Sequence, residues 1–450
     1  MITPHSWNIA SKRGLRFQCG SFTIGNLRSE DREQVPTTRP LTQTATSRRP
    51  ASTSSYAVTF SPELDLILTC CGEACSSDAP RGEFSTRVQH ILQSTGLNWN
   101  HLLQLAQQHG VLPLVYRRLS TAISASHPAQ LVALRQEDSL NAHRALWLAV
   151  ELLNIHRHLA TRGLEVLPYK GPILAETLYG NVALRQFSDL DFLVRPRDVL
   201  AVRSALAELG YTPALRLTQA AERAYLKSGY EYTFDNSQGK NLVEVKWQIL
   251  PRFYSVAFEV DDLFHAAVEV DLSGHKLHTL CDQDLMLVLC VHAAKHGWRQ
   301  ISWLCDITQL ARSRTLDWAA LRNRAAKLGI ARIVAVSFLL AHKLLATSLP
   351  AQLEVESDPL VEPLAQKIMQ QIVGNEEFDS ESLAYFRLMM DLRERRGDRA
   401  SFAWRLWVTP STGEWSSVRL PGVLFPLYRA VRMCRLAGRM LSSAASSSKH

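Results

Sequence analysis

A chain of 450 residues, 46% hydrophobic and 20% charged, has room for more than one globular domain and for a sizeable core. Its net charge of +8 and pI of about 9.1 suit a polyphosphate or nucleic-acid ligand, although arginine-rich terminal stretches carry much of that charge. The ~20 consecutive apolar residues of a membrane span are absent, as is a hydrophobic signal core, and the eight cysteines lack the paired spacing of a zinc site. A cytoplasmic protein with reduced thiols is the expectation.

Residues 1–58 are rich in Ser, Thr, Arg, Gln and Pro without apolar periodicity, so a disordered segment is expected. A basic presequence and an overextended start are rival readings, and Glu30, Asp31 and Glu33 argue against the presequence. A helical region over 59–162 begins at Ser61-Pro62. Helices are predicted over 63–71, 86–93, 99–109, 129–136 and 142–162. Leu146, Ala149, Val150 and Leu153 form the apolar stripe of the last one, and Gly163 closes it. His109, His156 and His158 have no ligand spacing and read as packed or surface side chains.

The block 163–280 reads as α/β. Leu164-Glu165-Val166-Leu167 is strand-like, Lys170-Gly171-Pro172 makes a turn, and 173–179 continue as a helix with proline in its first turn. The next strand carries Ser188-Asp189-Leu190-Asp191-Phe192-Leu193-Val194. Side chains alternate along a strand, so Asp189 and Asp191 project from one face while Leu190, Phe192 and Val194 cover the other. Two carboxylates so close repel unless a cation lies between them. Hard oxygen donors suit Mg²⁺, which binds through one or two carboxylates plus substrate phosphates. An isolated Asp-x-Asp pair commonly caps a helix or closes a turn. Here the preceding glycine turn and helix N-terminus, a natural phosphate cradle, favour the metal reading. A helix over 197–209, strands over 230–234 and 241–247 with a hairpin loop at 235–239, and a short helix over 261–266 follow. In the second strand Leu242, Glu244 and Lys246 share one face, and Val243 and Val245 the other.

Residues 281–393 are expected to form a helical domain, its first helix capped by Asp282 and stopped at Gly297. His292 and His296 lie one turn apart beside Lys295; they would suit a transition metal, but no third ligand accompanies them. Within 394–450, residues 394–399 read as an exposed charged connection and 424–441 as a basic helix carrying Arg429, Arg432, Arg435 and Arg439. That helix has three candidate fates: an anionic membrane surface, RNA, or packing as the last helix of a bundle. Residues 442–450 read as a disordered tail.

Lys170-Gly171, Leu178-Tyr179-Gly180, Arg185 and the run from Ser188 to Val194 together resemble an uncharacterised nucleotidyltransferase family of the DNA polymerase beta superfamily. His109-Gly110-Val111-Leu112-Pro113-Leu114 is similar to a phrase of that family's N-terminal helices, and His296, Trp303 and Asp306 match positions in its downstream part. The resemblance implies an α+β, mostly helical fold: a small mixed-sheet nucleotidyltransferase core flanked by N-terminal and C-terminal helical regions. It also implies transfer of a nucleoside monophosphate from an NTP such as ATP to an acceptor. Asp189, Asp191 and a third carboxylate, Glu244, would hold Mg²⁺ or Mn²⁺. Lys170, Gly171, Arg185, Ser188 and either Lys295 or His296 would contact the nucleotide. The family shows Asp-x-His-Trp at the third carboxylate, and Glu244-Val245-Lys246-Trp247 departs from it. That departure keeps open an inactive nucleotide-binding or scaffold protein. A His296–Asp306 pair joining two helices is the alternative role for that histidine. The acceptor is unnamed: a small molecule or a protein hydroxyl is favoured, and the lack of basic stripes interleaved with aromatics argues against nucleic acid.

Overall fold

Apolar side chains at Leu190, Phe192 and Val194 with a carboxylate between them demand a strand that buries one face and keeps charge on the other. In the computed structural model, residues 59–74, 81–93, 96–123, 128–237, 239–374, 379, 382–418 and 420–447 are described. The disorder expected over 1–58 lies outside them. Helices come first: α1 (Pro62–Ala74), α2 (Arg81–Gln93), α3 (Trp99–Gln108), α4 (Leu112–Ile123) and α5 (Pro128–Ala160). The α/β part follows as β1 (Val166–Pro168), α6 (Pro172–Tyr179), β2 (Leu190–Val194), α7 (Val199–Glu208), β3 (Thr212–Pro213), α8 (Gln219–Ser228), β4 (Glu231–Asn236), β5 (Gly239–Lys246), α9 (Val260–His265), β6 (Val268–Leu272) and β7 (His275–Thr279). The chain then returns to helices: α10 (Asp282–Lys295), α11 (Ile301–Ser313), α12 (Trp318–Leu328), α13 (Ala331–Leu345), α14 (Val361–Gly374), α15 (Leu383–Asp391), α16 (Arg396–Val408), α17 (Thr412–Ser417) and α18 (Tyr428–Ser447). The fold is α+β and mostly helical. Among the described residues no helix is long and apolar enough to cross a membrane.

The main sheet is mixed, with strand order β1-β2-β5-β4-β3. Only β2 and β5 run parallel, and their register sets Asp191 directly beside Glu244 and Phe192 beside Val245. Leu190, Phe192, Val194, Val243 and Val245 bury one face against Leu152 and Ile155 of α5, Val202 and Leu206 of α7, and Tyr225 of α8. On the other face, Leu167 and Leu193 join a larger core with Leu287 of α10, Leu304 of α11 and Phe338 of α13. Each such side chain fully buried contributes roughly 1.5–3 kcal/mol. The carboxylate face of the sheet therefore lies toward the downstream helices.

Several expectations need correcting. Residues 129–136 and 142–160 belong to one helix, α5, because nothing between them breaks helical geometry, and the helix ends at Ala160, two residues earlier than expected. Its buried face is Leu148, Leu152, Ile155 and Leu159, spaced four, three and four, whereas Leu146 and Val150 stand 54% and 57% exposed. Leu242 packs with Val243 in the same cluster, close to where the β4–β5 register shifts. Cys281, not Asp282, occupies the cap of α10. Residues 396–399 begin α16 and are not a connection, with Phe402 and Leu406 holding that helix down. The tail expected over 442–450 is helical as far as Ser447. Elements that went unpredicted include β3, α8, α17 and the β6–β7 hairpin, the last paired from Val268–Thr279 to Leu272–His275. Arg432 of α18 is buried and donates to the Leu406 carbonyl at 3.2 Å and to Glu414 at 3.4 Å, and Arg435 lies 2.6 Å from Glu414. Part of the basic stripe thus turns inward.

The face of α5 is testable by stability. Leu152→Ala should cost on the order of 2–5 kcal/mol in chemical denaturation, whereas Leu146→Lys and Val150→Lys should stay within about 0.5 kcal/mol. Buried His109 donates its Nδ1–H to the Arg299 carbonyl at 3.1 Å, and burial lowers its imidazole from 6.5 to about 4. The unfolded chain takes up that proton first, so the contribution is complete above pH 6.5 and is lost as pH falls toward 4. Denaturation at pH 7 and 4.5 should show a smaller acid-induced loss in His109→Gln than in the parent, by up to about 3 kcal/mol.

Candidate active site

The turn between β1 and α6 sets the geometry. Gly171 has φ +57°, and a Cβ there would lie 3.2 Å from the Asp189 carbonyl oxygen. Only glycine takes this conformation without strain while passing so close beneath the Asp189 backbone. Pro172 then opens α6, whose unbonded first-turn N–H groups lie at the same end. Asp189 stands one residue before β2, Asp191 within it and Glu244 on the adjacent parallel strand. One oxygen from each of the three carboxylates lies within 4.8 Å of the others. Asp191 is buried, and Asp189 and Glu244 are half-buried. Three hard oxygen donors converging in this way fit Mg²⁺ or Mn²⁺.

Two lysines enter the cluster. Lys246 donates to Asp191 Oδ1 and, at 2.5 Å, to Glu244 Oε2; Lys170 donates to the same Asp191 oxygen at 3.2 Å. Burial by itself would raise Asp191, but the two ammonium groups hold it well below the usual carboxylate range. Burial raises Glu244 and Asp189, and Asp191 beside them adds to both shifts. Burial would also lower Lys246, yet Asp191, Tyr169 and Glu244 push it well above its ordinary value. For Lys170 burial wins and the amine is lowered.

A cleft of about 520 Å³ opens on Asp189 and Asp191 and is lined by Lys170, Gly171, Arg185 and Ser188. His296 lines it too, within an aromatic trio: its ring centroid is 4.8 Å from His292 and 5.3 Å from Trp303. Burial, then the neighbouring lysines, keeps both imidazoles well below their ordinary value, so they are neutral at pH 7. Lys295 faces away from this cleft. It lines a second cavity of about 440 Å³ and donates to the Tyr230 hydroxyl at 3.2 Å. His296 lines both cavities.

Arg185 spends its guanidinium on buried Asp306, with Nε at 3.1 Å from both carboxylate oxygens and Nη2 at 2.9 Å from Oδ2. Tyr179 donates to the same carboxylate at 2.9 Å. Asp306 therefore ties α11 to the loop before β2, and the alternative His296–Asp306 pair gives way to this arrangement. Sequence reasoning passed over Asn141 and Arg144 of α5, and it gave Gln186, His292 and Trp303, which also line the cleft, no part in binding the nucleotide. Arg144 Nη2 donates to the Ser188 carbonyl at 3.1 Å, and Asn141 donates to the Ala183 carbonyl at 3.0 Å. Both sit on the polar side of a long helix, a pattern that reads equally well as a solvated face.

No curated protein and no solved structure matches this chain significantly. A family model described as an uncharacterised nucleotidyltransferase matches residues 95–346, from α3 through the sheet and the aromatic trio to α13. That span is more than half of the chain and contains the glycine turn, the three carboxylates and the Arg185–Asp306 pair, and the chain belongs to this nucleotidyltransferase family.

Proposed function

We infer that the protein moves a nucleoside monophosphate from an NTP to a hydroxyl-bearing acceptor. The observation that carries this reading is the convergence of Asp189, Asp191 and Glu244 within 4.8 Å, beside a cleft built on a glycine turn. Asp189, Asp191 and Glu244 would hold the divalent cation, Mg²⁺ or Mn²⁺. When bound, that cation supplies positive charge to the triphosphate and to the departing pyrophosphate.

The chain's own groups do the rest. Gly171 lets the backbone approach the phosphates, and the first turn of α6 presents N–H groups to them. Ser188, exposed at the cleft, offers a hydroxyl to a phosphate oxygen. His296 and Trp303 give the base an apolar, neutral wall. Arg185, fixed by Asp306, contributes field and rigidity from behind the cleft. The acceptor oxygen forms a bond to the α-phosphorus while the bond to the α–β bridging oxygen breaks and pyrophosphate leaves. Glu244 takes the hydroxyl proton, and its burial makes it a stronger base than an exposed glutamate.

The acceptor belongs in the second cavity, across His296. The cavity lining carries four cations, Arg252, Lys295, Arg432 and Arg435, against one carboxylate, Asp379, together with Phe253 and Phe386, which suits an anionic acceptor with an apolar body. Arg432 and Arg435 divide their charge with Glu414. A small molecule or a short protein segment would fit such a volume.

A second reading has its own observation: Lys246 already bonds two of the three carboxylates, as it would in a nucleotide-binding protein that has lost the reaction. Incubating the protein with α-³²P-labelled NTPs, Mn²⁺ and cell extract separates the two readings. Label transfer is expected, and Asp189→Asn or Asp191→Asn should each reduce it at least ~100-fold, since even the partners behind metal ligands are worth 10–100-fold. Nucleotide binding without transfer under every condition would favour the inactive protein. Thr409→Trp, which fills the second cavity, should abolish transfer while NTP affinity by fluorescence titration stays unchanged. Unimpaired transfer in that variant would remove the acceptor from this cavity.

A further inference from the structure

Charge and space around Lys246 go beyond the family's general chemistry. In a site served by two divalent ions, three carboxylates and two ions sum to +1, which faces the polyphosphate. Here Lys170 and Lys246 stand among the same three carboxylates, both buried, with side-chain exposures of 7% and 5%. The two ammonium groups carry the charge of one divalent ion. Adding a single ion to these five side chains therefore restores +1, whereas a second would raise the site to +3.

Space points the same way. Asp191 and Glu244 are direct register partners on β2 and β5, so the gap between their carboxylates is the natural seat of a bridging cation. Lys246 reaches that gap from two residues beyond Glu244 on the same strand face and bonds an oxygen of each. Glu231 flanks it at 3.9 Å, giving the ammonium a third acidic neighbour. Asp189 is different: among the described residues no hydrogen bond reaches its carboxylate, and it lines the open cleft. One side of the cluster is closed by a built-in cation and the other is left for a soluble one.

We propose that Lys246 replaces one of the two divalent ions, its ammonium filling the Asp191–Glu244 seat so that the site takes a single ion at Asp189 and the Asp191 oxygen that Lys246 leaves. This rests on the transferase reading and narrows its metal ligands to Asp189 and Asp191, with Glu244 paired to Lys246. The electrostatic consequence is direct, because removing a positive charge beside a divalent ion strengthens that ion's binding even when screened.

The test counts ions in the full-length protein and does not depend on turnover. Bound Mn²⁺ is measured by electron paramagnetic resonance and by calorimetry, alone and with saturating α,β-methylene-ATP, which cannot transfer its nucleotide. The wild type should hold one Mn²⁺ per chain with the analogue present. Lys246→Met should hold two, and without nucleotide it should bind Mn²⁺ at least about tenfold more tightly than the wild type. Lys246→Gln, which keeps a polar group in the seat, serves if the methionine variant fails to fold. Two ions in the wild type would overturn the replacement and leave the transferase reading standing. A count of one that both variants leave unchanged would also overturn it. Analogue binding with no protein-held Mn²⁺ would sink the transferase reading itself.

Discussion

Three carboxylates gathered within a few ångströms and half-removed from water repel one another strongly, and the fold tolerates them only because positive charge lies between them. The rest of the centre can be understood as an answer to that constraint. The parallel pairing of β2 and β5 creates the problem by setting Asp191 beside Glu244. Lys246, on the same strand face as Glu244, and Lys170, just ahead of the glycine turn, supply the counter-charge from the protein itself. Burial then makes the solution rigid, since an unpaired charge in this position would cost several kcal/mol. The result is a polar site that is organised before any ligand arrives, the condition under which electrostatic catalysis is most effective.

The helices on either side close the site rather than merely flank it. α5 sends Asn141 and Arg144 over the loop before β2, and α10 and α11 bring the His292–His296–Trp303 trio to the opposite rim. Both regions share one apolar core with Leu167 and Leu193 of the sheet. The sharp end of α10 matters here. Gly297 and Trp298 both take positive φ, and Trp298 is fully buried with its indole N–H on Ser337 at 3.0 Å. This turn stops the helix at His296 and places that ring at the boundary between the two cavities.

Much of this was legible in the residues. The i, i+2 spacing of Asp189 and Asp191, the glycine–proline helix start and the alternation around Glu244 all follow from strand and helix periods, which is why the elements bearing the carboxylates came out correctly. Tertiary context decided what was not legible. The apolar stripe of α5 misled because the helix serves two cores: Leu131 and Leu134 face one, Leu148 and Leu152 the other. The apolar positions change face along its length, so no single period describes it. The charged start of α16 hid a helix whose fully buried apolar side chains are Phe402 and Leu406, and the largely exposed β6–β7 hairpin offers too little alternation to register. Lys246 was readable as a same-face neighbour of Glu244. That it points into the cluster depended on the partner strand, which one-dimensional pattern does not supply.

The Arg185–Asp306 pair has a consequence for how the molecule can be divided. A guanidinium at 8% exposure is neutralised by a carboxylate 121 residues further along the chain, itself fully enclosed. An excised sheet domain ending before α11 would carry a stranded cation at the root of the loop bearing Ser188 and Asp189. Conversely, the downstream helices expressed alone would enclose an orphaned anion. Neither half is a self-sufficient module, so the smallest intact unit of this chain must extend at least from the glycine turn through the helix that carries Asp306.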